Sequence, residues 1–277
     1  MSAQEITPAL RQWIEEQTDA GHAVEAVLSS MHASGWSEDV ALSALEAVLL
    51  DRLSAQRADQ GRLPDLVRPG ASEVWAHDRH IQVLVQTTCP RIAVLSNVLS
   101  PQECQDLMAL ARPRLARSET VATETGGSEV NEARTSQGMF FERGESELCA
   151  RIEQRIAALF QWPVENGEGI QVLRYGPGAQ YKPHYDYFDP AQSGTTSILR
   201  RGGQRVATLV MYLNTPQAGG ATIFPDIGLE VNAMAGHAVF FAYGTPHPSS
   251  QTLHGGLAVE SGEKWVATKW MRQARFE

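Results

Sequence analysis

The stretch "RVATLVMYLNTPQAGGATIFP", residues 205–225, decides the class of fold, because two apolar runs in it are separated by turn-forming residues. Similar short runs surround it, namely IQVLRY (170–175), KPHYDYF (182–188), HAVFFAY (237–243) and EKWVATKWM (263–271). Gly, Pro, Asn and Asp punctuate these runs, which is typical of a β-sandwich or barrel. Helical patterns come before the strands, so we predict an α+β domain rather than alternating βαβ units.

The N-terminal part of the chain, residues 1–55, has a different pattern. Thr7 and Pro8 are suited to an N-cap and a first helical position, and Gly21 and Gly35 interrupt the apolar periodicity that follows. Three short helices with one apolar face each predict a small bundle. We interpret it as an accessory or dimerising module in preference to a peptide-recognition module.

Residues 56–90 are expected to be a linker, because the segment begins with a polar stretch that contains two prolines. The expected organisation is therefore a helical accessory module over 1–55, a linker over 56–90 and a main domain over 91–277. The sequence does not fix the oligomeric state, and the accessory module is the candidate for self-association.

Composition argues against several kinds of partner and location. The chain has 23 Lys+Arg and 32 Asp+Glu, which gives 23 − 32 = −9 and argues against nucleic acids and anionic membranes as partners. Cys89, Cys104 and Cys149 are far apart in the sequence, which favours free thiols in a reducing compartment over a disulfide framework. The first residues lack the pattern of a signal peptide, and no apolar stretch reaches membrane-spanning length, so we expect a cytoplasmic protein.

The sequence His184-Tyr185-Asp186 is a candidate metal site. On a strand, residues two apart share a face, so the imidazole and the carboxylate would point together. A third ligand from His247 or His254 would complete two His and one carboxylate, the facial set that holds Fe(II), although Zn²⁺ accepts the same ligand types. Alone, the pair is more often a plain hydrogen bond on a strand. We place the third ligand at His254.

Lys264 follows His254 by ten residues, which is enough for a turn and a returning strand. A lysine there could pair with the distal carboxylate of a dicarboxylate cosubstrate that chelates the metal. The alternative is an ordinary surface lysine, and the alternating pattern "EKWVATKW" makes its orientation testable.

Three blocks together resemble the prolyl 4-hydroxylase family of Fe(II)/2-oxoglutarate-dependent dioxygenases. They are "RYGPGAQYKPHYDYF" (174–188), the opening stretch (205–225) and "LHGGLAVESGEKWVATKWMR" (253–272), and "ARTSQGMF" (133–140) resembles the family's substrate loop. The resemblance covers residues 92–272. It implies a double-stranded β-helix (jelly-roll) core with supporting helices.

The resemblance also implies residue roles at the cofactors. His184, Asp186 and His254 match the iron ligands, Lys264 matches the lysine that pairs with the C5 carboxylate of 2-oxoglutarate, and Thr222 matches a hydroxyl beside it. The implied cofactors are Fe(II), 2-oxoglutarate and O2, with ascorbate as a further candidate.

Four more positions match residues that line the family's pocket. Tyr175 matches a tyrosine that contacts the cosubstrate, and Tyr181, Arg205 and Trp270 match residues on the substrate side. The alternatives are ordinary core aromatics for Tyr175 and Trp270, and a strand-edge charge for Arg205.

The implied activity is hydroxylation of an unactivated C–H bond, and a prolyl residue in a peptide or protein is the favoured target. A free amino acid or small metabolite is one alternative, and a binding or sensory protein with a degenerate oxygenase fold is another. An open groove beside "ARTSQGMF" would favour a peptide, whereas a lid formed by residues 189–204 would favour a small molecule. Substrate identity, and the position and stereochemistry of hydroxylation, are not determined by the sequence.

Overall fold

The computed structural model describes residues 6–19, 22–61, 63–117, 120–121, 128–129 and 135–277. It divides into two compact units, Met1–Arg62 and Leu63–Glu277. The α-helices are α1 Pro8–Asp19, α2 Val24–Ala33, α3 Glu38–Gly61, α4 Pro101–Ala111, α5 Glu147–Phe160 and α6 Thr195–Leu199.

The first unit contains the predicted small helical bundle. Helices α1, α2 and α3 share an apolar core that includes Leu10, Ile14, Val27, Met31 and Leu45. Burial of one stripe from each helix stabilises helices that would be marginal alone.

The strands of the described residues all lie in the second unit. These are β1 Glu73–Ala76, β2 Arg79–Thr88, β3 Arg91–Ser96, β4 Ala116–Arg117, β5 Thr120–Val121, β6 Ser128–Glu129, β7 Gln137–Phe141, β8 Ile170–Tyr175, β9 Tyr181–His184, β10 Arg205–Tyr212, β11 Ala218–Gly219, β12 Thr222–Phe224, β13 Leu229–Val231, β14 Ala238–Ala242, β15 His254–Gly256, β16 Val259–Ser261 and β17 Lys264–Arg272. A major sheet has the order β1-β2-β3-β14-β10-β17-β8-β7-β4, and a minor sheet has the order β13-β12-β15-β9. Both sheets are antiparallel, and β11–β16 and β5–β6 form two further ribbons.

The major sheet has two buried faces, as successive residues of β14 show. Phe240 belongs to the core that includes Leu107 of α4 and Ile152 of α5. Its neighbour Phe241 belongs to the core that includes Phe224 of the minor sheet. Helices therefore cover one face and the minor sheet covers the other, which matches the predicted α+β jelly-roll architecture.

The supporting helices are fixed by local capping signals and by an ion network centred on a buried arginine. Ser100 and Glu103 form a capping box at the start of α4, followed by proline at the first helical position. Arg155 of α5 is fully buried and pairs with Glu103 and with Asp78, both at 2.7 Å, so α5, α4 and the β1–β2 turn are held together.

The predicted linker over 56–90 is wrong for most of its length. Helix α3 continues to Gly61, and β1 and β2 extend the major sheet through pairing with each other and with β3. Three residues of this hairpin are buried, namely Val74, Ala76 and Ile81. Their neighbours in the sequence are mostly polar, so the alternation typical of a strand was too short to recognise. The second unit therefore begins at Leu63 rather than at residue 91.

Within the described ranges, no helix is both long enough and apolar enough to span a membrane.

Candidate active site

Pairing of β9 with β15 brings two histidines together. His254 lies directly opposite His184 in the antiparallel register, and their ring centroids are 4.4 Å apart. Gly255 allows this approach, because a Cβ there would lie 3.0 Å from the backbone N of Pro183 and 3.0 Å from the carbonyl O of Tyr181. The strand expected over KPHYDYF ends at His184, and Asp186 lies in the bend that follows. The convergence of His184 and Asp186 is therefore set by that bend and not by strand alternation.

The three side chains present one ligand atom each within 4.8 Å of one another. His184 Nε2 is 3.5 Å from Asp186 Oδ1, and His254 Nε2 is 3.5 Å from Asp186 Oδ2. The other ring nitrogens face backbone carbonyls, with His184 Nδ1 2.9 Å from Lys182 O and His254 Nδ1 3.0 Å from Thr252 O. A carbonyl only accepts hydrogen bonds, so each Nδ1 carries the proton and each Nε2 keeps a free lone pair for a metal.

The other candidate ligand lies elsewhere. His247 is exposed, and its Nδ1 is 3.0 Å from the hydroxyl of Ser249. The structure thus groups His254, and not His247, with His184 and Asp186.

The electrostatics of the cluster suit a divalent cation. Burial lowers the pKa of His254 to about 4, so its imidazole is neutral at physiological pH and competent as a ligand. Burial alone would raise the pKa of Asp186, but the positive charge that His254 and His184 carry when they are protonated, together with the Arg205 guanidinium, outweighs it and holds that pKa below the ordinary value of 3.8. Two neutral imidazoles and one carboxylate are the donor set of Fe(II) facial sites.

Lys264 is the second unusual feature of this region. It opens β17 opposite Tyr175 of β8, and it is 4% exposed. Its ammonium lies 5.6 Å from the ring centroid of Tyr175 and 5.8 Å from that of Tyr212, and burial lowers its pKa to about 8. No carboxylate of the described residues pairs with it, and it lines the same cavity as the three ligands. A buried cation without an internal anion fits a carboxylate ligand such as that of 2-oxoglutarate.

Two hydroxyls lie near this cation. Tyr212 donates a hydrogen bond from its hydroxyl to Thr222 Oγ1 at 2.9 Å, and burial raises the pKa of Tyr212, so it stays protonated. The proton of Thr222 is thereby left for another acceptor, as expected for a hydroxyl beside a bound carboxylate. Sequence reasoning missed Tyr212, although alternation along β10 places it on the same face as Val210, which lines the cavity.

The predicted substrate-side residues all line this cavity, whose volume is ≈ 630 Å³. The ring of Tyr181 stacks on His184 with centroids 3.6 Å apart. The guanidinium of Arg205 lies 3.9 Å from the ring centroid of Trp270, and its Nε donates to Glu168 Oε1 at 2.7 Å. Arg205 is therefore a largely buried support for Trp270, with its side chain 11% exposed, and not a strand-edge charge. Glu168, which also pairs with Arg272 at 2.7 Å, carried no signal in the sequence.

Other aromatic side chains in the cavity wall were also missed. Tyr185 and Tyr187 stack with centroids 4.8 Å apart, and Phe140, which is 49% exposed, lies 6.3 Å from Trp270. Phe140 ends the block "ARTSQGMF", whose residues 133–134 lie outside the described part of the chain. The expected lid over 189–204 contributes no residue to the cavity wall. The C-terminal end of this segment is instead held by hydrogen bonds. The Gln204 side chain accepts from the N–H of Phe188 and donates to the carbonyl of the same residue.

Comparison with known proteins agrees with this chemistry. Residues 170–272 match the family model described as the 2OG-Fe(II) oxygenase superfamily. The chain is 45% identical over 224 residues to prolyl 4-hydroxylase 1 of Arabidopsis thaliana, covering 72% of this chain and 77% of that protein. It is 41% identical over 211 residues to probable prolyl 4-hydroxylase 10 of the same plant, covering 68% and 71%.

A solved structure of a viral collagen prolyl hydroxylase from Paramecium Bursaria Chlorella virus-1, a 2OG complex, is 29% identical. It covers 65% of this chain and 95% of the viral one, with a TM-score of 0.49. From the curated relatives and the geometry above, the chain belongs to the prolyl 4-hydroxylase family and is a 2-oxoglutarate-dependent dioxygenase with Fe(II) and 2-oxoglutarate as its cofactors.

Proposed function

We propose that the protein hydroxylates a prolyl residue of a peptide or protein, with Fe(II) held by His184, Asp186 and His254. The observation that carries the proposal is Lys264, a buried cation that pairs with no carboxylate of the described residues and lies in the cavity that contains the three ligands. When bound, Fe(II) and 2-oxoglutarate supply the oxidising chemistry, in which O2 and 2-oxoglutarate yield succinate, CO2 and one hydroxylated C–H bond.

The chain's own residues bind and orient the reactants. Lys264 and Thr222 hold the distal carboxylate of 2-oxoglutarate by charge and by a donated hydrogen bond, and Tyr175 packs beside the ammonium. Tyr181 and Trp270, on the substrate side of the cavity, place the target carbon and exclude water from it.

A prolyl target is supported by the character of the cavity and by the relatives. Phe140, Tyr181, Tyr187 and Trp270 offer flat apolar surfaces that suit a pyrrolidine ring. The relatives that match most of the chain are named as prolyl 4-hydroxylases. A peptide or protein is favoured over a free amino acid, because residues 189–204 do not close the cavity and Phe140 leaves half of its surface exposed at the wall.

The proposed location is the cytoplasm. Its support is the state of the cysteines, since Cys89, Cys104 and Cys149 are all free, and the last two are buried. Redox-sensitive labelling of these thiols in cells tests this part of the proposal.

The test of the activity uses the purified protein with Fe(II), 2-oxoglutarate, O2 and ascorbate. A proline-containing peptide is compared with the same peptide carrying alanine in place of proline, and with free proline. We expect one added oxygen on the prolyl residue, matched by succinate, with the first peptide alone. Oxidation of free proline but not of the peptide would favour the small-molecule alternative, and no coupled product from any prolyl compound would refute the proposal.

Two protein variants complete this test. His254→Ala is expected to abolish product formation, and His247→Ala, which removes an exposed imidazole of the same type, is expected to leave it intact. Loss of product in His247→Ala instead would contradict the ligand assignment.

A further inference from the structure

Asp186 accepts a hydrogen bond from Thr208, a residue that is not among the site residues described above. Thr208, the fourth residue of β10, donates from Oγ1 to Asp186 Oδ2 at 2.7 Å. The hydroxyl of Tyr243 lies 3.1 Å from the same Thr208 oxygen. All three side chains are buried, at 7% for Asp186, 0% for Thr208 and 3% for Tyr243, so water does not compete for these contacts.

The directions of the two hydrogen bonds follow from the inventory of protons. An ionised carboxylate only accepts hydrogen bonds, so Thr208 must use its single proton on Asp186. The Thr208 oxygen is then an acceptor, and Tyr243 must donate to it. The result is a directed chain from Tyr243 through Thr208 to Asp186 Oδ2.

The chain distinguishes the two oxygens of the carboxylate. Each oxygen faces one histidine, with Oδ1 3.5 Å from His184 Nε2 and Oδ2 3.5 Å from His254 Nε2, but Oδ2 also accepts from Thr208, so Oδ1 is the oxygen that keeps its lone pairs for a metal ion. Outer hydrogen bonds to ligating carboxylates set the orientation of the ligand and contribute to metal affinity. We propose that Thr208, supported by Tyr243, is a positioning residue that fixes Asp186 so that Oδ1 is presented to the metal, an inference that rests on metal binding in the proposed function.

Both residues are rigidly placed by the major sheet. Thr208 pairs with Phe241 in the β10–β14 register, and the backbone N–H of Tyr243 donates to Val206 O at 2.9 Å just beyond the end of β14. The ring of Tyr243 contacts those of Phe241 and Tyr187, with centroids 6.2 and 6.1 Å away. The two hydroxyls therefore reach Asp186 from a fixed frame, whereas Asp186 itself lies in a bend outside any strand.

The experiment measures metal affinity directly, by anaerobic titration with Co(II) followed by its visible absorption, without cosubstrate or turnover. Thr208→Val keeps the shape of the side chain and removes the hydroxyl, and we expect its Kd to rise about 10- to 100-fold. Thr208→Ser restores the hydroxyl and is expected to lie within about threefold of wild type. Adding Tyr243→Phe to Thr208→Val should weaken binding no further, because the chain is already broken.

Thr195→Val is the matched control. Thr195 is 2% exposed and donates from Oγ1 to Asp189 O at 2.7 Å, so this variant removes the hydroxyl of a buried threonine and a hydrogen bond of equal length that does not touch a ligand. Its Kd should equal that of wild type, whereas a rise like that of Thr208→Val would overturn the positioning role in favour of general destabilisation.

The outcomes separate this inference from the proposed function. If wild type binds Co(II) and Thr208→Val binds equally well, the positioning role is overturned and the metal site stands. If folded wild type binds no Co(II), the proposed function fails together with the inference. Should Thr208→Val fail to fold, Tyr243→Phe decides alone: a weaker Kd supports the chain of hydroxyls, and an unchanged one overturns it.

Discussion

Replacement of Lys264 by methionine should stabilise the fold and disable the enzyme at the same time. Lys264 is 4% exposed, and burial lowers its pKa from 10.5 to about 8. Because each tenfold change in proton affinity corresponds to about 1.4 kcal/mol, the charged side chain costs the folded, ligand-free protein about 3 kcal/mol at pH 7. Methionine has similar length and no charge, so Lys264→Met should raise the free energy of unfolding by about that amount.

The gain in unfolding free energy from Lys264→Met should decrease as the pH rises. The pKa of Lys264 is depressed in the folded state, so below about pH 8 both states carry the charge and the full cost applies. Between about pH 8 and pH 10.5 the folded protein loses the proton first and the cost falls. The advantage of the methionine variant should therefore shrink to about 1 kcal/mol at about pH 9.5.

The assay is urea unfolding of wild type and variant, both free of metal and 2-oxoglutarate, at pH 7 and at about pH 9.5. Lys182→Met is the control, because Lys182 is exposed and its loss should change the free energy of unfolding by less than about 0.5 kcal/mol. Binding of 2-oxoglutarate to the Lys264→Met protein, measured separately with Fe(II) present, should be lost. A variant that is less stable than wild type at pH 7, or equally stabilised at both pH values, would refute the picture of an unpaired buried cation.

Three further results are expected. The Kd of wild type for 2-oxoglutarate should rise above about pH 8 by up to tenfold per pH unit, because Lys264 deprotonates there, and an anaerobic titration series that stays flat would contradict this. Thr222→Val should weaken 2-oxoglutarate binding by about fivefold, the worth of one hydrogen bond, while the Kd for Co(II) stays unchanged by titration. Glu168→Gln should lower the free energy of unfolding, measured in urea, by about 3 kcal/mol, since it leaves the largely buried Arg205 and the buried Arg272 without their carboxylate; a change below about 1 kcal/mol would show that solvent screens the two guanidinium charges.

The strands that could be predicted from the sequence are those whose own residues form a continuous apolar run. The run IQVLRY corresponds to β8, Ile170–Tyr175, and the opening apolar run corresponds to β10, Arg205–Tyr212. Both are buried on both faces, so they read as continuous apolar segments bounded by turn residues. β1 and β2 were missed because one face of that hairpin is exposed, with Trp75 at 64%, and its polar neighbours resemble those of a linker.

The site was predictable only in part, for a different reason. His184 and Asp186 are two residues apart in the sequence, and the residue pattern near the C-terminus suggested His254 and Lys264, which the family resemblance then matched to an iron ligand and a cosubstrate lysine. Tyr212, Thr208 and Glu168 act through partners on other strands or loops, namely Thr222, Asp186 and Arg205. Which residues meet across strands is fixed by register, and register is set by the whole packed sheet rather than by a local pattern.

Two lysines of β17 look alike in the sequence, and only the structure shows how their surroundings differ. Lys264 and Lys269 are five residues apart, an odd spacing that places them on opposite faces of the strand, and both are buried, at 4% and 3%. Lys269 pairs with Glu153 of α5, so the scaffold neutralises it. Arg155, Arg205 and Arg272 likewise pair with buried carboxylates. Because a buried charge without a partner is costly, a fold that pairs these four cations internally, while no carboxylate of the described residues pairs with Lys264, indicates that the anion for Lys264 comes from a ligand.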